Sequence, residues 1–159
     1  MSSNLSKSAE KVQIVLNKFG FELNVIELSN STRTAQEAAD TIGCDVSQIA
    51  KSLIFKGKTS QKPILIVASG TNRVNEKAIK EYLGEKLEKA DADFVLAHTG
   101  FAIGGIPPIG HKTSITTLID EDLIQYEEIW AAAGTPHAVF KLTPKILTEI
   151  TNGDIISIK

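Results

Sequence analysis

Three features of the sequence combine residue types that could stabilise negative charge on an oxygen atom. Two are glycine-rich corners, FAIGGIPPIGH at 101–111 and AAAGTPHAVF at 131–140, and the third is Lys51 in the segment KSLIF. Backbone N–H groups beside glycine can be approached closely because no side chain blocks them, and Pro107 and Pro108 fix φ and stiffen the loop. Such N–H groups and a half-buried ammonium can stabilise a developing oxyanion. This combination suits attack of water on an ester and needs no protein nucleophile.

Motifs of other enzyme classes are missing from the sequence. It contains no GxSxG, no P-loop, no HExxH and no GxGxxG after a strand. Cys44 is the only cysteine, which excludes an internal disulfide and a cysteine-based zinc site, and we interpret it as a small hydrophobic residue. The three histidines, His98, His111 and His137, lack metal-ligand spacing. We therefore expect neither a metal site nor a cofactor.

The elements that position these residues are predicted from periodicity and end signals. Capping patterns begin helices at Thr34, Asn75 and Thr143, and the glycines 43 and 84 end the first two. Further helices are predicted over 8–19 and 91–99, and strands over 22–28, 52–56, 63–68, 114–119, 127–132, 138–142 and 154–158. The mixture lacks strict βαβ alternation, which favours one α+β domain spanning residues 1–159 with a mixed sheet.

Composition indicates a globular protein of the reducing cytoplasm. The 159 residues suit one domain, no apolar run approaches the roughly 20 residues of a membrane helix, and MSSNLSKSAEK lacks a signal-type apolar segment. The net charge of −2 conceals an asymmetry: residues 51–89 hold nine basic and four acidic side chains, a charge of +5 that leaves −7 elsewhere. Such a patch can attract RNA, although these lysines could equally be the solvated faces of ordinary elements.

Five ordered motifs together resemble the YbaK/ProX family, free-standing aminoacyl-tRNA deacylases related to the editing domain of bacterial prolyl-tRNA synthetase. The motifs are TRTAQEAAD, QIAKSLIF, ILIVASGTNRV, ADADFVLAHTGFAIGGIPPIGH and AAAGTPHAVFKLTP. The resemblance implies a curved, barrel-like mixed sheet flanked by helices. It also implies hydrolysis of the ester that joins a wrong, small amino acid to a tRNA, typically tRNA(Pro).

The resemblance also assigns residues to the site. The family's lysine corresponds to Lys51, which we expect to be catalytic. Its glycine–proline loop corresponds to Gly104, Gly105 and Pro108, beside Pro107, and its second corner to Gly134, followed by Thr135 and His137. These loop and corner residues are expected to bind substrate. Some relatives carry a serine and an aspartate around the second corner; neither is present here, so the sequence does not identify the amino acid removed.

Alternative interpretations remain open for the whole protein and for single residues. The same fold could serve as a non-catalytic module that binds a tRNA end or a synthetase, or as a hydrolase of small esters or amides without tRNA. Because the overall charge is negative, RNA binding could require an aminoacyl-tRNA synthetase as partner. Arg33 could touch RNA phosphate, whereas His98 and Trp130 are interpreted as structural; His111 could line the entrance, and His137 could merely hold a turn.

Overall fold

The computed structural model describes residues 5–159, which form five helices and eight strands. The helices are α1 (Lys7–Asn17), α2 (Ala35–Ile42), α3 (Glu76–Leu83), α4 (Ala92–Thr99) and α5 (Pro144–Thr151). The strands are β1 (Val25–Glu27), β2 (Ile49–Gly57), β3 (Pro63–Ser69), β4 (Leu87–Lys89), β5 (Thr116–Asp120), β6 (Ile129–Ala132), β7 (Ala138–Leu142) and β8 (Asp154–Ile156). Short 3-10 helices at Val46–Gln48 and Glu121–Gln125 precede β2 and follow β5.

All eight strands belong to one mixed sheet. Its order is β1-β7-β6-β2-β3-β5-β8, and β4 pairs with the far end of β2. The β2–β6, β3–β5 and β5–β8 pairs are parallel, and the β1–β7, β6–β7, β2–β3 and β2–β4 pairs are antiparallel. The predicted α+β fold with a mixed sheet flanked by helices is confirmed. Among the described strands the path runs openly from β1 to β8, so the sheet does not close into a barrel.

Strand β3 lies in the interior of the sheet and is buried along its whole length, as its continuous apolar sequence predicts. Its side chains alternate between two cores. Leu65 and Val67 join the larger core with residues of α1, α4 and α5. Ile64 and Ile66 join the second core with α3, and α2 packs on a smaller cluster around Ile49. Both faces of the sheet are therefore covered. A site can form where side chains remain exposed, at the ends of strands or in gaps between them.

The register of β2 and β3 fixes which backbone groups of β2 face each neighbour. Gly57 N–H donates to Lys62 O at 2.9 Å, and Lys56 lies opposite Pro63. Because hydrogen-bonded and non-bonded pairs alternate in an antiparallel ladder, Gly57 and every second residue back to Lys51 face β3. Pro63, which has no N–H, occupies a position where no donor is required. The intervening residues, including Ser52, point their N–H and C=O groups away from β3.

Capping signals predicted the helix ends better than periodicity predicted the strand ends. Thr34 forms the expected capping box with Glu37, and Asn75 and Thr143 accept the bonds expected of N-caps. Strand β2, however, begins at Ile49 rather than at residue 52, so Lys51 is its third residue. The short strand β4 was not predicted, because its three residues LEK have no alternation to detect.

Candidate active site

A cavity of about 490 Å³ opens where β2 and β6 diverge. Residues 49–53 of β2 and residues 103–106 of the glycine–proline loop line it. The segment 32–35 and Ala38 of α2 also line it, and Ala131 and Ala132 of β6 contribute small side chains. The cavity lining contains two charged residues, Arg33 and Lys51, both cationic. The lining is therefore mostly apolar, and its charged groups are positive.

The cavity exists because the pairing of β2 with β6 is short. Only Ile49 with Trp130 and Ala50 with Ala131 are partners in this parallel pair. Beyond them β6 enters the second glycine corner, where Gly134 N–H donates to Gly105 O at 2.8 Å. The chain of β6 is thereby drawn toward the glycine–proline loop and away from β2. This bond also joins the two corners that the sequence analysis singled out.

Lys51 projects from β2 into the cavity wall and is half-buried. Its Nζ lies 3.5 Å from Gly70 O, at the outer limit of a hydrogen bond. Burial lowers the pKa of Lys51, the nearby Arg73 charge lowers it further, and Asp120 acts in the opposite direction. The ammonium is thus weakly held by the protein, and its remaining N–H donors are available to an anionic oxygen.

The carbonyl beside Lys51 belongs to a turn that a buried carboxylate fixes. Asp120, at the end of β5, is fully buried. It accepts hydrogen bonds from Ser69 N–H at 2.9 Å and from Asn72 Nδ2 at 2.8 Å. Gly70 lies between these donors and lines the cavity. Asp120 therefore positions the contact of Lys51 from a distance, a role that no residue spacing in the sequence indicated.

The glycines of the loop are required by close contacts. Gly104 has φ +108°, and a Cβ there would lie 3.1 Å from the Arg33 side chain. A Cβ on Gly105 would lie 2.6–2.7 Å from backbone atoms of Thr135, closer than real carbon atoms approach. Gly105 is thus the position at which the loop and the second corner touch. Both glycines line the cavity, and their contact with a substrate remains a prediction.

The other predicted substrate-binding residues lie outside the cavity lining. Pro107 and Pro108 are buried and do not line it, so they stiffen the loop from behind. Gly134 and Thr135 contact Gly105 through backbone but do not line it either. His137 is exposed outside the cavity, and its Nδ1 lies 3.1 Å from Asn30 O. Direct substrate binding by these five residues remains a prediction. Their contacts in the structure hold the loop and the second corner in place.

Hydrogen bonds from the second corner and from His111 hold the surrounding loops. Pro136 O accepts bonds from both Thr32 N–H, at 2.6 Å, and Thr32 Oγ1, at 3.0 Å, which anchors the segment before α2. His111 Nε2 lies 2.7 Å from Pro107 O. Burial lowers the pKa of His111, and the bond to Pro107 opposes this effect. His111 therefore ties the loop to itself and does not line the cavity.

The remaining singled-out residues lie outside the cavity. Cys44 is half-buried beside α2, and burial raises the pKa of its thiol, which opposes a nucleophilic role. Trp130 packs in the cluster around Ile49, with Lys141 Nζ 5.9 Å from its ring centre. The rings of His98 and Phe94 lie 4.3 Å apart. Sequence reasoning missed Ser52 as a cavity residue, because within KSLIF it is one polar residue of a strand.

This fold and this cavity define an aminoacyl-tRNA editing domain. The family described as "Aminoacyl-tRNA editing domain" matches residues 29–150, so the chain belongs to it. The chain is 34% identical over 144 residues to "Uncharacterized protein YwhH" of Bacillus subtilis (strain 168), covering 91% of each. A solved structure described as a "putative trans-editing enzyme for prolyl tRNA synthetase" superposes with a TM-score of 0.93 at 45% identity, covering 98% of this chain and 99% of that one.

A third relative carries a substrate in its name. The chain is 26% identical over 157 residues to the "Putative Cys-tRNA(Pro)/Cys-tRNA(Cys) deacylase EbsC" of Enterococcus faecalis (strain ATCC 700802 / V583), covering 98% of this chain and 92% of the relative. Within residues 5–159, no helix has the length and apolar character needed to cross a membrane. In the same range, no group of three or more histidine, cysteine or acidic side chains is placed to hold a metal ion.

Proposed function

We propose that this protein is a trans-editing hydrolase that deacylates misacylated tRNA. The observation that carries the proposal is that the half-buried Lys51, Gly104 and Gly105 line one cavity. Lys51 is the catalytic residue of this proposal, and one domain spanning residues 1–159 carries the activity in the cytoplasm. The names of the trans-editing relatives support tRNA(Pro) as the tRNA and a prolyl-tRNA synthetase as the enzyme whose errors are corrected.

The reaction requires a water molecule and stabilisation of charge. The water oxygen adds to the ester carbonyl carbon, and the carbonyl electrons move onto oxygen. The Lys51 ammonium and loop N–H groups stabilise this oxyanion in a partly desolvated cavity. The bond between the carbonyl carbon and the ribose oxygen then breaks. The proton lost by water ends on that oxygen, which leaves a free amino acid and a tRNA hydroxyl.

The cavity dimensions favour a small aminoacyl side chain. Its walls include Ile49, Leu53, Ile103 and Ile106, and its volume of about 490 Å³ must also admit the terminal ribose. Exposed Arg33 beside Gly104 suits a phosphate near the 3′ end. Discrimination of one methylene contributes only about 1–3 kcal/mol, so we expect a preference among small residues rather than selection of one.

A deacylation screen tests the proposal. The substrates are tRNA(Pro) charged with alanine, cysteine, serine or the correct proline, and the measured quantity is release of the amino acid. We expect at least one small wrong residue to be removed faster than proline. The same activity should persist in EDTA, because the described residues offer no ligand cluster. Binding of tRNA without hydrolysis of any ester would instead identify a non-catalytic module.

We expect tRNA affinity to depend on the basic segment 51–89, whose charge is +5 against −7 elsewhere. Lys58 and Lys62 flank the β2–β3 turn and are exposed. Lys58 follows Lys51 by seven residues, and Lys62 lies beside Gly57, six residues beyond Lys51. Both are therefore roughly 20 Å from Lys51 in an extended strand, which suits contact with the tRNA body. Replacing both with glutamate should weaken tRNA binding and make its salt slope shallower by about 1–2. Hydrolysis of an aminoacyl-adenosine should be unchanged.

The matched control changes the same charge elsewhere. Lys18 and Lys145 are exposed and lie outside the basic segment, so their replacement by glutamate should affect tRNA binding much less. Filter binding across a salt series measures both affinity and slope. Equal losses in the two double variants would show that only net charge matters. Loss on the aminoacyl-adenosine as well would show that Lys58 and Lys62 support the cavity.

A further inference from the structure

Ser52 lies on the cavity edge of β2, between the residues that pair with β6 and those that pair with β4. It is one of the residues whose backbone N–H and C=O point away from β3, as the alternation of the β2–β3 pair requires. On that side β6 pairs only with Ile49 and Ala50, and β4 pairs only with residues 55–57. Ser52 therefore presents one backbone donor and one backbone acceptor that face no strand within residues 5–159.

A continuation of β6 would extend this ladder, but the chain beyond β6 turns away from β2. The N–H of Gly134, just beyond β6, donates to Gly105 O at 2.8 Å instead of approaching β2. The cavity occupies the place of the missing strand, and Ser52 lines it. Backbone groups inside proteins are nearly always paired. An open position in the ladder within a cavity is consequently a surface on which a ligand can complete the pairing.

The side chain of Ser52 adds a further polar group without a partner. Its Oγ is buried and makes no hydrogen bond to any residue within 5–159. Buried hydroxyls are usually bonded, and one that is not reduces stability. No carboxylate lines the cavity, so its acceptors for an amino group are neutral, and the C=O of Ser52 is one of them.

We propose that Ser52 binds the α-amino and ester carbonyl groups of the aminoacyl substrate, an inference that rests on the proposed function. Opposite residues of a hydrogen-bonded antiparallel pair each give one N–H and accept one. An aminoacyl ester contains the amine, Cα and carbonyl of one residue. Its amine donates to Ser52 O, and its carbonyl accepts from Ser52 N–H. Ser52 Oγ, which is buried and unpartnered within residues 5–159, becomes a second acceptor for the amine when the side chain rotates toward the cavity. Ser52 then selects substrates that carry a free α-amino group. The aminoacyl group pairs with the edge of β2 as one residue of an added strand would.

Matched esters of adenosine test this recognition. The probes are alanyl-, seryl- and cysteinyl-adenosine, each compared with its counterpart that lacks the amino group: propionyl, 3-hydroxypropionyl and 3-mercaptopropionyl. Each enzymatic rate is divided by the rate of the same ester in buffer, which removes differences in intrinsic reactivity. For the best substrate we expect a KM at least about tenfold lower than for its amine-free counterpart, as expected when a buried acceptor loses its donor. Equal KM values would overturn the inference and leave the hydrolase function standing.

The variant Ser52→Ala tests the hydroxyl separately from the backbone. It should raise the KM of the aminoacyl ester several-fold and leave the KM of the amine-free ester unchanged. Its Tm should rise by about 2–4 °C or more, because an unpaired buried hydroxyl is removed. Ser52→Thr keeps the hydroxyl and should keep the preference for the amine. Equal KM changes on both esters would assign Ser52 a packing role and overturn its part in recognition. If no aminoacyl ester is hydrolysed by the wild type, the proposed function itself fails.

Discussion

Replacing Lys51 with alanine should lower kcat/KM for a minimal aminoacyl-adenosine about 10²–10³-fold while the protein remains folded. Loss of one charged or hydrogen-bonding contact to an oxyanion costs about 2.7–4 kcal/mol of transition-state stabilisation. The fold should tolerate the change, because Nζ has only a 3.5 Å contact with Gly70 O and the burial of its charge is unfavourable. Rates measured beside the Tm separate the two effects.

Lys56→Ala is the matched control, because Lys56 lies on the same strand but outside the cavity. Its Nζ is 5.4 Å from the Phe94 ring centre, so its loss removes only a surface contact. We expect the control to hydrolyse aminoacyl-adenosine at the wild-type rate. A Lys51→Ala variant that stays folded and matches the wild-type rate would remove Lys51 from the catalytic role, and one that unfolds would contradict the expectation that the fold tolerates the change.

The pH dependence offers a second measurement of the same residue. If the charged form of Lys51 stabilises the oxyanion, the enzymatic rate should fall as pH rises through the pKa of Lys51. Because burial lowers that pKa, the fall should occur below the ordinary range of a free lysine. After subtraction of hydrolysis in buffer, the wild type should show this alkaline decline and Lys51→Ala should not. A decline that persists in the variant would belong to another group.

Local signals explain why much of the fold was predictable from the sequence. Helix ends depend on residues within one turn, so Thr34, Asn75 and Thr143 identified their helices directly. The apolar run of β3 predicted burial on both faces. The order of strands and the early start of β2 depend on partners distant in the chain, such as the pairing of Ile49 with Trp130. No local pattern contains that information.

The residues of the candidate site likewise divide into those that local patterns predict and those whose role depends on distant parts of the chain. Lys51, Gly104 and Gly105 were predicted from residue type and family motifs, and the structure places all three in one cavity. Pro107, Pro108 and His137 belong to the same motifs but lie outside the cavity lining, because a motif records residues that shape a loop together with those that face a ligand. Ser52 could not be predicted, since its importance arises from a gap between strands that only the sheet register reveals.

The contact of Gly105 with Thr135 leads to the second large effect, that of Gly105→Ala. The added Cβ would lie 2.6–2.7 Å from the Thr135 backbone, and a backbone cannot rotate away as a side chain can. The two corners must therefore separate, which weakens the 2.8 Å bond from Gly134 N–H to Gly105 O. Overpacking of this kind costs about 1–3 kcal/mol, so the Tm should fall by several degrees. Displacement of reacting groups by about 1 Å can cost 10²-fold in rate, and we expect a loss of kcat/KM of that order.

Gly84→Ala separates the lost activity from the lost stability. Gly84 ends α3 with φ +83° and has open space around its Cβ position, so alanine there is destabilising through backbone strain alone. It lies outside the cavity lining, and its variant should keep the wild-type kcat/KM per folded molecule at a temperature where circular dichroism shows both variants folded. If Gly105→Ala also keeps that rate, the junction of the two corners does not position the catalytic groups. A rate loss confined to Gly105→Ala would mean that this junction determines where the loop N–H groups lie relative to Lys51.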